Sequence, residues 1–172
     1  MEPAGRSSQR DDRLPIVITP ERPDSPDACE LIRELDEHLG SRYAAESRHG
    51  FSVEKLLREG VAFFVVWADA AQTRAAGCGG VLFVPATGNE PAFAEIKRMF
   101  VRPEFRGQRF GRRMLEHLVG HVRANGYSLL RLETGVHQEE ARVLYERMGF
   151  RQVGPFPPYR PDPMSVFYEL RV

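Results

Sequence analysis

The chain has 172 residues, long enough for one domain to bury a sizeable core and short for two. Hydrophobic residues make up 42% and charged residues 28%, the balance of a soluble globular protein. Lysines plus arginines (24) offset aspartates plus glutamates (24), so no global field draws the chain to nucleic acid or to an anionic membrane.

Residues 1–13 are polar, with Asp11 and Asp12 and no apolar stretch. They read as a disordered tail rather than a signal peptide, leaving residues 14–172 as one folded domain. Leu14 to Thr19 predicts a first strand. Ser25-Pro26 supplies an N-cap with Pro at the first helical position. Cys29, Ile32, Leu35 and Leu39 then recur at helical spacing up to Gly40, with Leu31 beside them. A second helix follows Ser52, with Phe51 and Leu56 spaced as a hydrophobic staple and Gly60 as a stop.

Three strand-like runs come next: Val61 to Trp67, Ala75 to Val84, and Ala92 to Val101. Gly77, Gly79 and Gly80 weaken the second or suggest a bulge in it. Short connections favour antiparallel pairing. The period then switches: Met114, Leu115, Leu118, Val119 and Val122 mark a helix face that Asn125-Gly126 ends. Ser128 to Thr134 is a strand, Gln138 to Met148 a helix, and Phe150 to Val153 and Met164 to Leu170 two closing strands. A meander followed by strand–helix–strand–helix predicts an α/β fold with a mixed, mostly antiparallel sheet. Cys29 falls on a helix stripe and Cys78 in a strand, which suits a reduced, cytoplasmic setting. The longest apolar run, Val61 to Ala68, is too short to span a bilayer.

Between the third of these strands and the helix after it lies Val101-Arg102-Pro103-Glu104-Phe105-Arg106-Gly107-Gln108-Arg109-Phe110-Gly111. Gly107 and Gly111 allow a ligand near the backbone, the helix start supplies unpaired N–H groups, and Arg106 and Arg112 add charge. This is either an anion site or a basic turn with glycines for geometry. The stretch resembles the acetyl-CoA pyrophosphate loop of the GNAT superfamily of N-acetyltransferases: Arg106 and Gly111 match its ends, while Arg109 replaces its middle glycine. Phe93 to Val101 is similar to that family's preceding strand, and Leu132-Glu133-Thr134 to its next one. Gln138-x-x-Ala141-x-x-Leu144-Tyr145-x-x-x-Gly149-Phe150 is similar to the helix motif, with Gln138 where Asn is commoner.

The resemblance implies a GNAT-like sheet with helices on both faces, acetyl-CoA as cosubstrate, no metal, and transfer to a small-molecule amine in a ternary complex. It implies cofactor contacts from Met99, Val101, Arg106, Gly107, Gln108, Arg109, Phe110, Gly111, Arg112 and Gln138, those at Met99 and Val101 through the main chain. An acceptor amine must lose a proton before attack. Glu95, mid-strand, is the expected base, unless it faces solvent or pairs with Lys97 or Arg98. Glu133 on the neighbouring strand competes, and the two together would make an acidic pocket for a cationic substrate. Tyr145 matches the family's general acid for the departing thiolate. Arg109 is expected to open the helix at negative φ, without strain, and to add charge near the phosphates.

His38, His49, His117, His121 and His137 show no ligand cluster, although His117 and His121 are four apart on a helix. Glu46, His49 and the segment Pro155 to Pro163 with Phe156 and Tyr159 are candidates to shape the acceptor pocket. Two other classes stay open: a protein or peptide acetyltransferase, and an acyl-CoA sensor without turnover. Many members of the family dimerise, so a homodimer is an open alternative.

Overall fold

The computed structural model describes residues 15–172. The expected tail over residues 1–13, and Leu14 of the expected first strand, lie outside the described residues. Strand β1 (Val17–Pro20) is followed by α1 (Pro26–Gly40), a single 3₁₀ turn (Ala45–Ser47) and α2 (Val53–Arg58). Strands β2 (Ala62–Trp67), β3 (Ala75–Val84) and β4 (Phe93–Val101) form the meander. A second 3₁₀ turn (Pro103–Phe105), α3 (Phe110–Ala124), β5 (Leu129–Gly135), α4 (Glu139–Arg147), β6 (Arg151–Val153) and β7 (Ser165–Arg171) complete the chain. The seven strands make one sheet in the order β1-β2-β3-β4-β5-β7-β6, antiparallel except where β4 meets β5.

Alternation within β2 divides the core. Phe64 and Val66 point to one face and pack with α3, while Phe63, Val65 and Trp67 point to the other and pack with α1 and α2. Met114, Leu115, Leu118 and Val122 of α3 are wholly buried, and Leu31 of α1 likewise. Truncating any one of the α3 leucines would cost about 2–5 kcal/mol. Ser25 and Ser52 cap their helices through side-chain oxygens, as their positions ahead of the apolar stripes require.

Two bulges mark the meander. One inserts Ala76 of β3 opposite the Val66–Trp67 step. The other lies in β4 rather than in the glycine-rich strand facing it: Cys78 pairs with Phe100 and Gly80 with Lys97, so Gly79 opposes both Arg98 and Met99. Arg98 takes φ 56° to make this possible. The parallel contact between β4 and β5 consists of Ala94–Leu130 and Glu95–Arg131 only. Beyond Glu95 the two strands separate, and their divergent ends open a cleft.

Candidate active site

The loop after β4 has the geometry of an anion site. Gly107 and Arg109 both adopt positive φ, 74° and 70°. Arg109 therefore does not open α3 in helical geometry, as the sequence suggested; it caps the helix in the left-handed conformation that a middle glycine would take without strain. No side chain caps α3, whose first-turn N–H groups are left for another acceptor.

The remaining loop residues divide by side chain. Arg106 donates from Nε to the Val101 carbonyl at 3.1 Å. Gln108 donates to the Glu104 carbonyl, and Arg112 pairs with Glu116 on the helix surface. Phe110 is buried in the core, so only its N–H is left for a ligand. Gly111 is small for another reason than ligand approach: a Cβ there would press on Leu144 of α4. Met99 and Val101 pack their side chains on the α3 face of the sheet, leaving the main chain for polar contacts.

Behind the loop, the cleft between the diverging strands encloses about 130 Å³. Glu133, Gln138, Tyr145, Lys97, Arg98 and Tyr159 are among its walls. Glu133 reaches it because alternation in β5 sends Leu130 and Leu132 into the α3 core and Glu133 to the opposite face. Its carboxylate accepts from Ser165 Oγ at 2.7 Å, and burial raises its pKa above the ordinary carboxylate value. Tyr145 turns its hydroxyl toward the Met99 sulfur at 3.9 Å, and burial raises its pKa as well. Gln138 stands just before α4 and leaves its buried amide nitrogen without a partner.

Glu95 takes the alternative arrangement foreseen for it. It is 2% exposed and lies behind the cleft wall rather than in it. Its Oε1 accepts from Lys97 Nζ and from Tyr159 Oη, both at 2.6 Å, and Lys97 donates on to Tyr159 at 2.7 Å. Lys97 sits two residues from Glu95 on the same face of an extended strand, which makes the pair geometrically natural. Burial lowers the pKa of Lys97 against the opposing pull of Glu95. The cleft is thus not the doubly acidic pocket expected from two glutamates: one carboxylate is matched by a buried ammonium.

Two segments roof the cleft. From the α1–α2 connection, Tyr43 Oη accepts from the His137 N–H at 2.9 Å, crossing to the loop after β5. From the β6–β7 connection, Tyr159 reaches β4, and Asp162 meets His49 at 3.4 Å. Arg98, sent to the same face as Lys97 by the bulge, donates to Asp36 at 2.7 Å and to the Ile32 carbonyl. Alternation could have singled out Lys97 from the sequence. Tyr43, Ser165 and Asp162 carried no local signal, because their roles depend on partners about 30 to 115 residues away. His117 and His121 do not form a site; both pack edge-on against Phe64. Glu46 lies exposed in the 3₁₀ turn.

Residues 26–150 match the model of the acetyltransferase (GNAT) family. The chain belongs to this family. An IAA acetyltransferase of Azospirillum brasilense is 41% identical over 154 residues, spanning 90% of this chain and 96% of that protein. An N-acetyltransferase of Bacillus subtilis, YsnE, is 32% identical over 143 residues, spanning 80% and 89%. Among solved structures, a Klebsiella pneumoniae protein assigned as an acyl-CoA N-acyltransferase superposes with a TM-score of 0.71 at 31% identity, covering 91% of this chain and 97% of its own. The chain is a GNAT acetyltransferase with acetyl-CoA as donor, and the uncapped start of α3 with its two left-handed loop residues fits the donor's pyrophosphate.

Proposed function

We propose that this acetyltransferase moves the acetyl group of acetyl-CoA directly to the amine of a small molecule, with both substrates bound together. The observation that carries the reading is the pairing of groups across one narrow cleft: Glu133, with its raised pKa, on β5, and the buried Tyr145 on α4. Glu133 takes the amine proton in place of Glu95, whose carboxylate is occupied by Lys97 and Tyr159. Tyr145 donates to the departing sulfur. The main chain at Met99 and Val101, the amides of residues 107–112 and the unpartnered Gln138 amide hold the donor. The roof from Tyr43 and Tyr159 favours a small acceptor over a folded protein or an extended peptide.

Thiol release from acetyl-CoA against a panel of amines, amino acids and polyamines tests the reading. Glu133→Gln is expected to lower turnover roughly 100-fold while acetyl-CoA still raises the melting temperature. The acid limb of the wild-type pH profile should lie above the ordinary glutamate value of about 4.3 and vanish in the variant. Tyr145→Phe should lower turnover about 10- to 1,000-fold with little change in stability. Unchanged turnover in Glu133→Gln, with a large loss in Glu95→Gln, would return the proton to Glu95.

A further inference from the structure

One protein group holds Glu133. Its Oε1 accepts from Ser165 Oγ at 2.7 Å, while its Oε2 makes no hydrogen bond among the described residues. The strands bring the serine there. Ser165 of β7 pairs with Gly135 and Phe167 with Glu133, so Ser165 and Glu133 are diagonal neighbours on one face of the sheet. Gly135 has no side chain to compete for the hydroxyl. Main-chain bonds fix the start of β7: Ser165 N–H donates to the Asp162 carbonyl at 3.0 Å, and the Met164 carbonyl accepts from Val136 N–H at 3.0 Å. Asp162 Oδ1 adds to the turn by accepting from Met164 N–H at 2.8 Å.

Resting on Glu133 as the base, we infer that Ser165 is its positioning residue: it occupies Oε1, stabilises the ionised carboxylate, and leaves Oε2 as the atom that meets the acceptor. A hydroxyl given to one carboxylate oxygen favours the charged form and fixes the plane of the group. Oε2 then takes a proton from the acceptor ammonium. The freed nitrogen bonds to the acetyl carbon, the C–S bond breaks and the sulfur takes the Tyr145 proton. The second nitrogen proton restores Tyr145, and the Glu133 proton leaves to water. Ser165 keeps its own proton throughout. Other groups also bear on Glu133. Burial raises its pKa; Ser165, His49 of the α1–α2 connection and Lys97 of β4 oppose that, and Glu95 adds to it. Tyr145 of α4 and Tyr159 of the β6–β7 connection stay neutral through burial. Lys97 is committed to Glu95 and Tyr159, and His49 to Asp162, so the one hydrogen bond to the base is that of Ser165 among the described residues.

The test titrates the Glu133 carboxyl in the full chain by NMR of carboxyl-labelled glutamate, its resonance assigned by its loss in Glu133→Gln. Ser165→Ala should move the Glu133 midpoint to higher pH, and Ser165→Thr, which keeps the hydroxyl, should restore it. Thiol release from acetyl-CoA with the best acceptor of the amine panel is measured alongside. In Ser165→Ala, kcat should fall about tenfold or more on the acid side, its acid limb displaced the same way, with the KM for acetyl-CoA unchanged. Ser165 is half-buried and its ladder bonds come from the main chain, so neither variant threatens the fold. A midpoint unmoved in Ser165→Ala, or an equal loss of kcat at every pH, overturns the inference and leaves Glu133 standing as the base. An acid limb that persists in Glu133→Gln overturns the base, and the role of Ser165 with it.

Discussion

Lys97 and Glu95 illustrate how one side chain decides the role of another. A glutamate in the middle of a family strand invites a catalytic reading, yet the ammonium two positions on turns it into half of a buried pair. Breaking such a pair from one side leaves an uncompensated charge. Glu95→Gln should therefore destabilise the fold by about 3 kcal/mol, seen as a lower urea midpoint, and Glu95→Gln with Lys97→Met should recover much of the loss. An undiminished midpoint in the single variant would mean that the pair contributes nothing. Arg109 makes the opposite case. At φ 70° its Cβ crowds the backbone, so Arg109→Gly should stabilise the free protein by about 0.5–1 kcal/mol, although arginine is the better residue in a helix. At about 2–4 °C per kcal/mol for a chain of this size, thermal unfolding resolves the change. If the loop holds the donor's phosphates as proposed, the same variant removes a charge beside them, and its acetyl-CoA affinity should fall most at low salt.

Among the elements, β4 and the two roofing segments determine the cleft. The bulge at Arg98 and Met99 sends two consecutive cationic side chains, Lys97 and Arg98, to the α1 side. Without the extra residue, alternation would turn one of them into the α3 core. The α1–α2 segment is held where Tyr43 lies over Gly135 and accepts from the His137 N–H. Gly135 allows this because a Cβ there would collide with the Tyr43 hydroxyl and ring. Gly135→Ala should displace the segment, cost about 1–3 kcal/mol, and raise the acceptor KM more than that of acetyl-CoA. Tyr43→Phe, losing only the hydrogen bond, should cost about 1 kcal/mol. Melting curves and steady-state kinetics on both variants separate the packing from the bond; equal effects would argue against the close approach.

For the molecule as a whole, two imidazoles weaken the fold toward acid. Burial lowers the pKa of His117 and of His38, so the unfolded chain binds more protons than the folded one as pH falls below about 6.5. Their contribution is complete above that value and is lost as pH falls through the folded values. His117 also has a buried Nε2 without a partner against Phe64. Melting temperature should decline between pH 7.5 and 5.5, and His117→Gln should decline less steeply. A variant slope equal to that of the wild type would show that His117 does not titrate with folding. Among the described residues, no helix is long and apolar enough to cross a membrane.

The order of elements, the caps at Ser25 and Ser52, and the strand–loop–helix about Gly107 were legible in the sequence because each rests on near neighbours: period, cap chemistry and short motif spacing. The family resemblance was legible for the same reason, since its motifs are local. Tertiary structure alone decided which carboxylate faces the cleft. That choice depends on the bulge in β4, the divergence of β4 from β5, and the arrival of Tyr159 from a connection 64 residues beyond Glu95. Arg109's left-handed backbone was hidden likewise, because a residue's φ is set by what folds against it.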